Sequence, residues 1–391
     1  MNILIVHNSY QYPGGEETYT RSLASLLKKR GHNVFVYTRN NKEIKTVWDK
    51  ISAAFSILWS RQTTKDIHSI VKRFKPDIAQ AHNVFPLISP SVYWALRKEK
   101  VPIVQLLASY RYVCPKSTLF RNGSICEQCV NKRFFYPSIV NRCYQDSAIG
   151  SFFFSLSFFL HLHIFKTFGL IDSFLFPSQF TKNYITDHVP ETRHNAIHLP
   201  HLTLPALYQQ RVKKREGFVY VGRLSEEKGV LTLLSLFARD DCKEFSLTIV
   251  GDGPLKDVVS KSCHHHKNIR YIGSKNRERI AELMGRSQAL ILPDLWFDVQ
   301  PIVVLEALSQ GLPVIAPSTP VFREIVLHKK TGFLYKSESE LISYVNDISH
   351  RPLSIVKKDK DMILEKHSPP YHYARIISLY KSIIKNKKKQ V

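Results

Sequence analysis

Phe218-Val219-Tyr220-Val221-Gly222-Arg223-Leu224-Ser225-Glu226-Glu227-Lys228-Gly229 is the stretch whose reading decides the fold. Four apolar residues run straight into a glycine, two basic side chains and a second glycine. A short, unbroken apolar run of this kind reads as a strand buried on both faces, as in a parallel sheet covered by helices. Arg223 and Lys228 then fall at the C-terminal end of that strand, where open α/β sheets bind ligands. Two fixed cations there suit a diphosphate: Arg grips oxygens with its planar fork, and Lys adds a compact charge. Read alone, the stretch fits a solvated loop equally well.

The same alternation of short strands and amphipathic segments extends in both directions. Downstream, Ser246–Val250, Ile269–Ile272, Ala289–Leu292 and Val314–Ala316 read as strands. Upstream, Asn2–Val6, Val34–Tyr37, Ile78–Ala81 and Ile103–Leu107 form a first series, with helices predicted over Tyr19–Lys29 and Thr64–Phe74. Pro200, Pro205 and the charged run Arg211–Glu216 read as a linker between the two series. The prediction is therefore α/β: two Rossmann-like, doubly wound domains, over 1–205 and 206–365, facing a central cleft that would take a ligand. A last helix, about Pro370–Lys388 within 366–391, is expected to cross back to the first domain and end in a basic tail.

Two further stretches carry chemistry. Tyr12-Pro13-Gly14-Gly15-Glu16-Glu17 follows the first strand and precedes a helix. Glycine there lets the backbone approach a ligand, and the amides at a helix start attract phosphate; an ordinary strand–helix turn would look the same. Asp298-Val299-Gln300-Pro301-Ile302-Val303-Val304-Leu305-Glu306 follows another strand. Asp298 lies on the loop, Pro301 is placed to open a helix, and Glu306 about a turn inside that helix can accept both hydroxyls of a ribose. The competing reading makes Glu306 a capping or surface acid.

The chain has 391 residues and a formal net charge of +24. Such an imbalance points to an anionic partner. No nucleic-acid module is recognised, so nucleic acid is excluded as the partner, and a phosphorylated substrate or an anionic membrane remains. The chain starts directly in a strand, without a signal peptide, which favours the cytoplasm. Ile149–Phe165 (IGSFFFSLSFFLHLHIF) is strongly aromatic, but it is short and polar-interrupted for a spanning helix. Two readings stay open: a buried helix, or one lying in the membrane interface.

Cys114, Cys126, Cys129 and Cys143 have the spacing C-x11-C-x2-C-x13-C. Four thiolates with one C-x2-C pair can close a structural zinc site; unligated thiols and a disulfide are the alternatives. His264-His265-His266 reads as a surface loop.

Taken together the blocks resemble glycosyltransferases of the retaining GT-B type, family 4. PGGEE at 13–17, VGRLSEEKG at 221–229 and Asp298-x7-Glu306 come in the family's order. Ala81-His82-Asn83, Tyr110-Arg111-Tyr112-Val113-Cys114-Pro115, Phe176-Pro177-Ser178-Gln179-Phe180, Val250-Gly251-Asp252-Gly253-Pro254 and Gly311-Leu312-Pro313-Val314-Ile315-Ala316 extend the similarity. The resemblance implies a UDP- or GDP-sugar donor whose diphosphate is neutralised by Arg223 and Lys228, so that no cofactor or catalytic metal is needed. It further implies ribose binding by Glu306, phosphate contacts from backbone near Gln300, Pro301, Ile302 and Val303, and Gly14 and Gly15 beside the diphosphate.

Two departures stand out. The first acid of the family's E-x7-E is Asp298 here, one methylene shorter. Where relatives read L-H-N-Y-R, this chain has Leu107-Ala108-Ser109-Tyr110-Arg111. Three readings follow from Ala108: His82 compensates, the histidine is dispensable for a different acceptor, or catalysis is impaired. The expected function is transfer of one sugar onto a lipid-linked saccharide in surface polysaccharide synthesis, at the cytoplasmic face of the membrane. The rival is a non-catalytic sugar-nucleotide-binding or scaffolding protein on the same fold.

Overall fold

The computed structural model describes residues 1–10, 14–203 and 215–389. Tyr12, Pro13, Pro205 and the run 211–214 lie outside these. The strands, in chain order, are β1 (Asn2–Ser9), β2 (Asn33–Asn40), β3 (Ile78–Ala81), β4 (Ile103–Leu106), β5 (Phe120–Arg121), β6 (Ser124–Ile125), β7 (Ser173–Phe176), β8 (Ala196–His198), β9 (Phe218–Val221), β10 (Leu247–Val250), β11 (Ile269–Tyr271), β12 (Ala289–Ile291), β13 (Val314–Pro317) and β14 (Gly332–Tyr335). They form two six-stranded sheets, in the orders β2-β1-β3-β4-β7-β8 and β11-β10-β9-β12-β13-β14. Every pairing in both sheets is parallel. β5 and β6 make a separate antiparallel hairpin.

The chain separates into two compact units. One comprises Met1–Leu119, Cys126–Leu202 and the chain from Pro369 onward; the other is Thr203–Ser368 with Phe120–Ile125. Ile78–Ala81 and Ile103–Leu106 are buried at every position. Phe218, Val219 and Tyr220 are likewise buried, as strands covered by helices on both faces require. In the second unit, Phe218, Leu233, Phe237 and Ile249 belong to one side of the core, and Val219, Leu290, Leu305 and Val314 to the other.

The helix Pro369–Lys388 belongs to the first unit and is tied into it by polar contacts. His372 Nε2 meets the Tyr19 hydroxyl at 3.0 Å. Tyr380, fully buried, donates to Gln80 on β3. The aromatic segment resolves into a helix, Ala148–Phe159, followed by a π-helical turn, Leu160–Ile164. Among the described residues no helix is long and apolar enough to cross a membrane.

Candidate active site

The second unit builds its site at the C-terminal ends of β9 and β12. After β9 the chain turns through Gly222, and Arg223 is exposed there. The Tyr220 hydroxyl pins this turn by donating to the Arg223 carbonyl at 2.8 Å. Gly229 closes the loop at a φ of +65°, and a side chain on it would meet the Pro293 carbonyl at 1.9 Å. That contact demands glycine, and it brings Lys228 to the acidic loop after β12.

Lys228 lies between two carboxylates: its Nζ is 2.8 Å from Asp294 Oδ2 and 2.5 Å from Asp298 Oδ2. The Trp296 ring covers it, 5.2 Å from Nζ to the centroid, and the indole N–H donates to Asp294 at 3.2 Å. Asp298 also accepts the Gln300 amide at 3.0 Å. Burial works against the Lys228 charge, but Asp294 and Asp298 outweigh it and hold its pKa above the ordinary lysine value. Burial likewise pushes Asp294 up to about 6, against the pull of Lys228. Two acids and one lysine leave the group with a net charge of −1 when all three are ionised.

The helix Ile302–Ser309 starts one residue after Pro301, so Pro301 is its N-cap rather than its first turn, and no side chain caps it. Glu306 lies within this helix. Its Oε1 is 3.3 Å from Arg277 Nε, and burial raises the carboxyl pKa while Arg277 lowers it. Gln300 is buried and faces His367 at 3.1 Å. The sequence reading named Lys228, Asp298 and Glu306 but missed Asp294 and Arg277, which set their charge. An acid two residues after the apolar run Ala289–Leu292, beyond Pro293, was the available signal for Asp294.

The first unit presents a different cluster at the ends of β1, β3 and β4. The helix Gly15–Lys29 begins with two acids, Glu16 and Glu17. Glu17 accepts the Gly14 amide at 2.8 Å and the Tyr10 amide at 2.8 Å. Burial opposes its charge, but these bonds and His7, 3.6 Å away, hold its pKa below the usual range. The Gly14 amide, expected beside a phosphate, is thus occupied by the chain's own carboxylate. Tyr10 donates to Glu16 at 2.9 Å, and burial raises the Glu16 carboxyl.

His82 is buried, and both ring nitrogens are engaged. Gln80 meets Nε2 at 2.7 Å and Thr20 Oγ1 meets Nδ1 at 2.7 Å. Tyr380 binds the Gln80 oxygen, which turns the Gln80 amide N–H toward His82. Nε2 is then the acceptor, and Nδ1–H donates to Thr20, which donates on to the Glu16 carbonyl at 2.7 Å. Burial, then His7 and His201, depress the His82 pKa well below 6.5, so the ring is neutral. A small, open recess lies here, with Glu16, His82, Ala108, Ser109 and Arg111 in its wall. Ala108 therefore leaves open a position that a histidine would fill. The buried Nε of Arg111 has no hydrogen-bond partner among the described residues, and its guanidinium lies over the rings of Phe85, Tyr144 and Phe154.

The four clustered cysteines come into electrostatic range of one another. Burial, then Cys114, Cys143 and Cys126, push Cys129 up to about 12. Burial also raises Cys114, although the amides from Lys116 to Leu119 point at its sulfur. None of the cysteines forms a disulfide. Among the described residues no three His, Cys, Asp or Glu side chains are disposed to hold a metal ion. Cys114, Cys126 and Cys143 all act electrostatically on Cys129, so the four thiols expected to hold a structural zinc share one neighbourhood.

Two family models match the chain: "Glycosyl transferases group 1" over residues 209–366, and "Glycosyltransferase Family 4" over residues 13–107. The chain is 22% identical over 360 residues to an alpha-monoglucosyldiacylglycerol synthase of Streptococcus pneumoniae, covering 84% of this chain and 73% of that protein. Among solved structures it resembles sucrose-phosphate synthase from Thermosynechococcus elongatus, with a TM-score of 0.71, 14% identity and coverage of 99% and 100%. It also resembles HepE from Anabaena in complex with UDP, with a TM-score of 0.67, 14% identity and coverage of 98% and 100%. At these identities the two structures bear on the fold alone.

Proposed function

Because the chain belongs to the group 1, family 4 glycosyltransferases of the GT-B fold, we propose that it moves a hexose from a UDP- or GDP-sugar to a lipid-linked saccharide, with retention at the anomeric carbon. The observation that carries this reading is the Lys228–Asp294–Asp298 group at the strand ends of the second unit. In transfer, the bond from the anomeric carbon to the diphosphate breaks and one to an acceptor hydroxyl forms, so negative charge gathers on the leaving diphosphate. Arg223 and Lys228 meet that charge as preorganised cations. They take the place of a divalent ion. Asp298, held at both oxygens, faces the sugar end, and Glu306, steadied by Arg277, takes the ribose hydroxyls. His82 carries a positioning role rather than a direct one, since its nitrogens are engaged within the protein. The recess beside Ala108 is assigned to the acceptor side.

The name of the pneumococcal relative supports a lipid acceptor. A lipid acceptor fits the position proposed here, at the inner face of the cell membrane. Sugar turnover by wild type and Arg223→Ala, with and without EDTA, tests the assignment. We expect a loss of about 10²–10³ in kcat for the variant and no effect of EDTA. Unchanged turnover in the variant would remove the diphosphate assignment. The non-catalytic reading rests on Ala108 in the recess wall; nucleotide binding by calorimetry without turnover on any donor would select it.

A further inference from the structure

The helix Ala148–Phe159 buries three serines beside Phe154 and Phe158 and leaves other apolar side chains outside. Ser151, Ser155 and Ser157 are buried, while Ile149 is 69% and Phe152 42% exposed, and Phe153 and Phe159 are half-buried. A helix on a soluble surface shows the reverse, with polar residues outside. Each buried serine is satisfied by a nearby carbonyl. Ser151 donates to Ser147 at 2.8 Å, Ser155 to Ser151 at 2.7 Å and Ser157 to Ile57 at 2.6 Å. Small, self-satisfied side chains bring this helix close to its neighbour Val47–Leu58, and part of the phenylalanine surface is left outside.

The neighbour continues the pattern. Trp48 is 79% exposed. The Phe55 and Phe153 rings meet at 5.4 Å, and Trp59 meets Phe165 at 6.4 Å. Of the sixteen large apolar side chains exposed among the described residues, nine fall in 48–59 and 136–165, so the exposure is concentrated rather than scattered. Patches of this kind mark interaction sites.

Cations stand at one rim of it, although Asp49 lies within Val47–Leu58. Ala148–Ile171 contains no acid. Burial lowers the His163 pKa and Glu191 raises it, while Arg133 and Lys166 are also near enough to lower it. Lys132 Nζ is 6.0 Å from the Tyr136 ring. We propose that the face made by Val47–Leu58, Ala148–Phe159 and the turn to Phe165 docks on an anionic lipid bilayer. Trp and Tyr suit the boundary between headgroups and chains, and basic side chains at the rim suit anionic headgroups. A second copy of the chain is the poorer occupant, because it would set one basic rim against another in a chain of net charge +24.

This proposal deepens the lipid-linked-acceptor reading and rests on it. Flotation of the full chain with vesicles of phosphatidylglycerol and phosphatidylcholine, against phosphatidylcholine alone, tests it at low and high salt. Wild type is expected to float with the anionic vesicles about tenfold more strongly, and less so in high salt. The variant Trp48→Ser/Phe55→Ser/Phe152→Ser/Phe165→Ser is expected to lose this binding. A second variant, Lys132→Ser/Arg133→Ser/Lys166→Ser, changes exposed residues alone and is expected to lose the salt-sensitive part. Equal flotation of wild type and either variant, equal binding to both vesicle types, or a lipid-free dimer abolished by the serine variant would overturn it. Transfer to a short-chain, water-soluble acceptor is read alongside. Flotation without transfer leaves the docking face standing while the transferase reading falls. Transfer without flotation does the opposite.

Discussion

The two units share one architecture, six parallel strands with the working residues at the strand ends, yet they treat charge in opposite ways. In the second unit a cation is held between acids: Lys228 sits on Asp294 and Asp298. In the first unit the helix start is acidic, and its Gly14 amide is closed by Glu17. A glycine turn before a helix is commonly read as a phosphate site. The contrast teaches that such a turn favours phosphate only if the chain has not already supplied its own anion. Lys228 is engaged by the chain's own anions as well, so a diphosphate has to compete with Asp294 and Asp298 for it.

The largest expected effect breaks the second unit's side of this contrast. Lys228→Ala leaves Asp294 and Asp298 buried without a counter-charge, which costs about 3 kcal/mol of stability and about 10³-fold in turnover. Adding Asp294→Asn removes one of the stranded charges and is expected to restore most of the stability but none of the turnover. Thermal unfolding and donor turnover measured on the same two proteins check both halves. If the single variant were as stable as wild type, the lysine would not be balancing these acids.

That pairing also marks how far the sequence could be read. The strands Ile78–Ala81 and Phe218–Val221 were legible to the residue, because an unbroken apolar run between turn residues has few other uses. In the two large sheets β7, β8 and β14 were not read. β8 has three residues, all only half-buried, so it carries no apolar signal. Lys228, Asp298 and Glu306 stood out by spacing within a motif. Asp294 and Arg277 did not, because their importance comes from approaches across 66 and 29 positions that only the folded sheet creates. The serines of Ala148–Phe159 interrupt an apolar run in sequence, and in the fold they are buried beside Phe154 and Phe158, a placement that only the packing reveals.

A smaller effect sharpens the comparison through pH. Asp294 has its pKa raised to about 6 by burial, so it takes up a proton as pH falls from 7 to 5. The Lys228 group then passes from a net charge of −1 to neutral, and a diphosphate is repelled less. Donor affinity by calorimetry is expected to rise about threefold from pH 7.5 to 5.5, an effect of order 0.6 kcal/mol. Asp294→Asn should bind as the protonated form does at every pH. The sign for stability agrees: a carboxyl with a raised folded-state pKa favours folding when protonated, and that contribution is lost as pH rises from about 4 to 6. An affinity that instead weakens toward pH 5.5 would exclude Asp294 from the donor site.

The smallest expected effect belongs to the first unit, and it asks whether its charge arrangement is positioned from a distance. Tyr380 fixes the Gln80 oxygen, so the Gln80 amide faces His82 and selects the Nδ1–H tautomer. Tyr380→Phe removes the donor and leaves a buried acceptor unpaired, at a cost of about 1 kcal/mol. Gln80 is then free to turn, and His82 can release Thr20 and the Glu16 carbonyl behind it. A purely structural role predicts the stability loss alone. A positioning role predicts in addition a change in the His82 ring nitrogen shifts by NMR and a loss of about threefold in kcat with KM for the donor unchanged. If the nitrogen shifts stay as in wild type, the helix Pro369–Lys388 holds the first unit together without setting the state of His82.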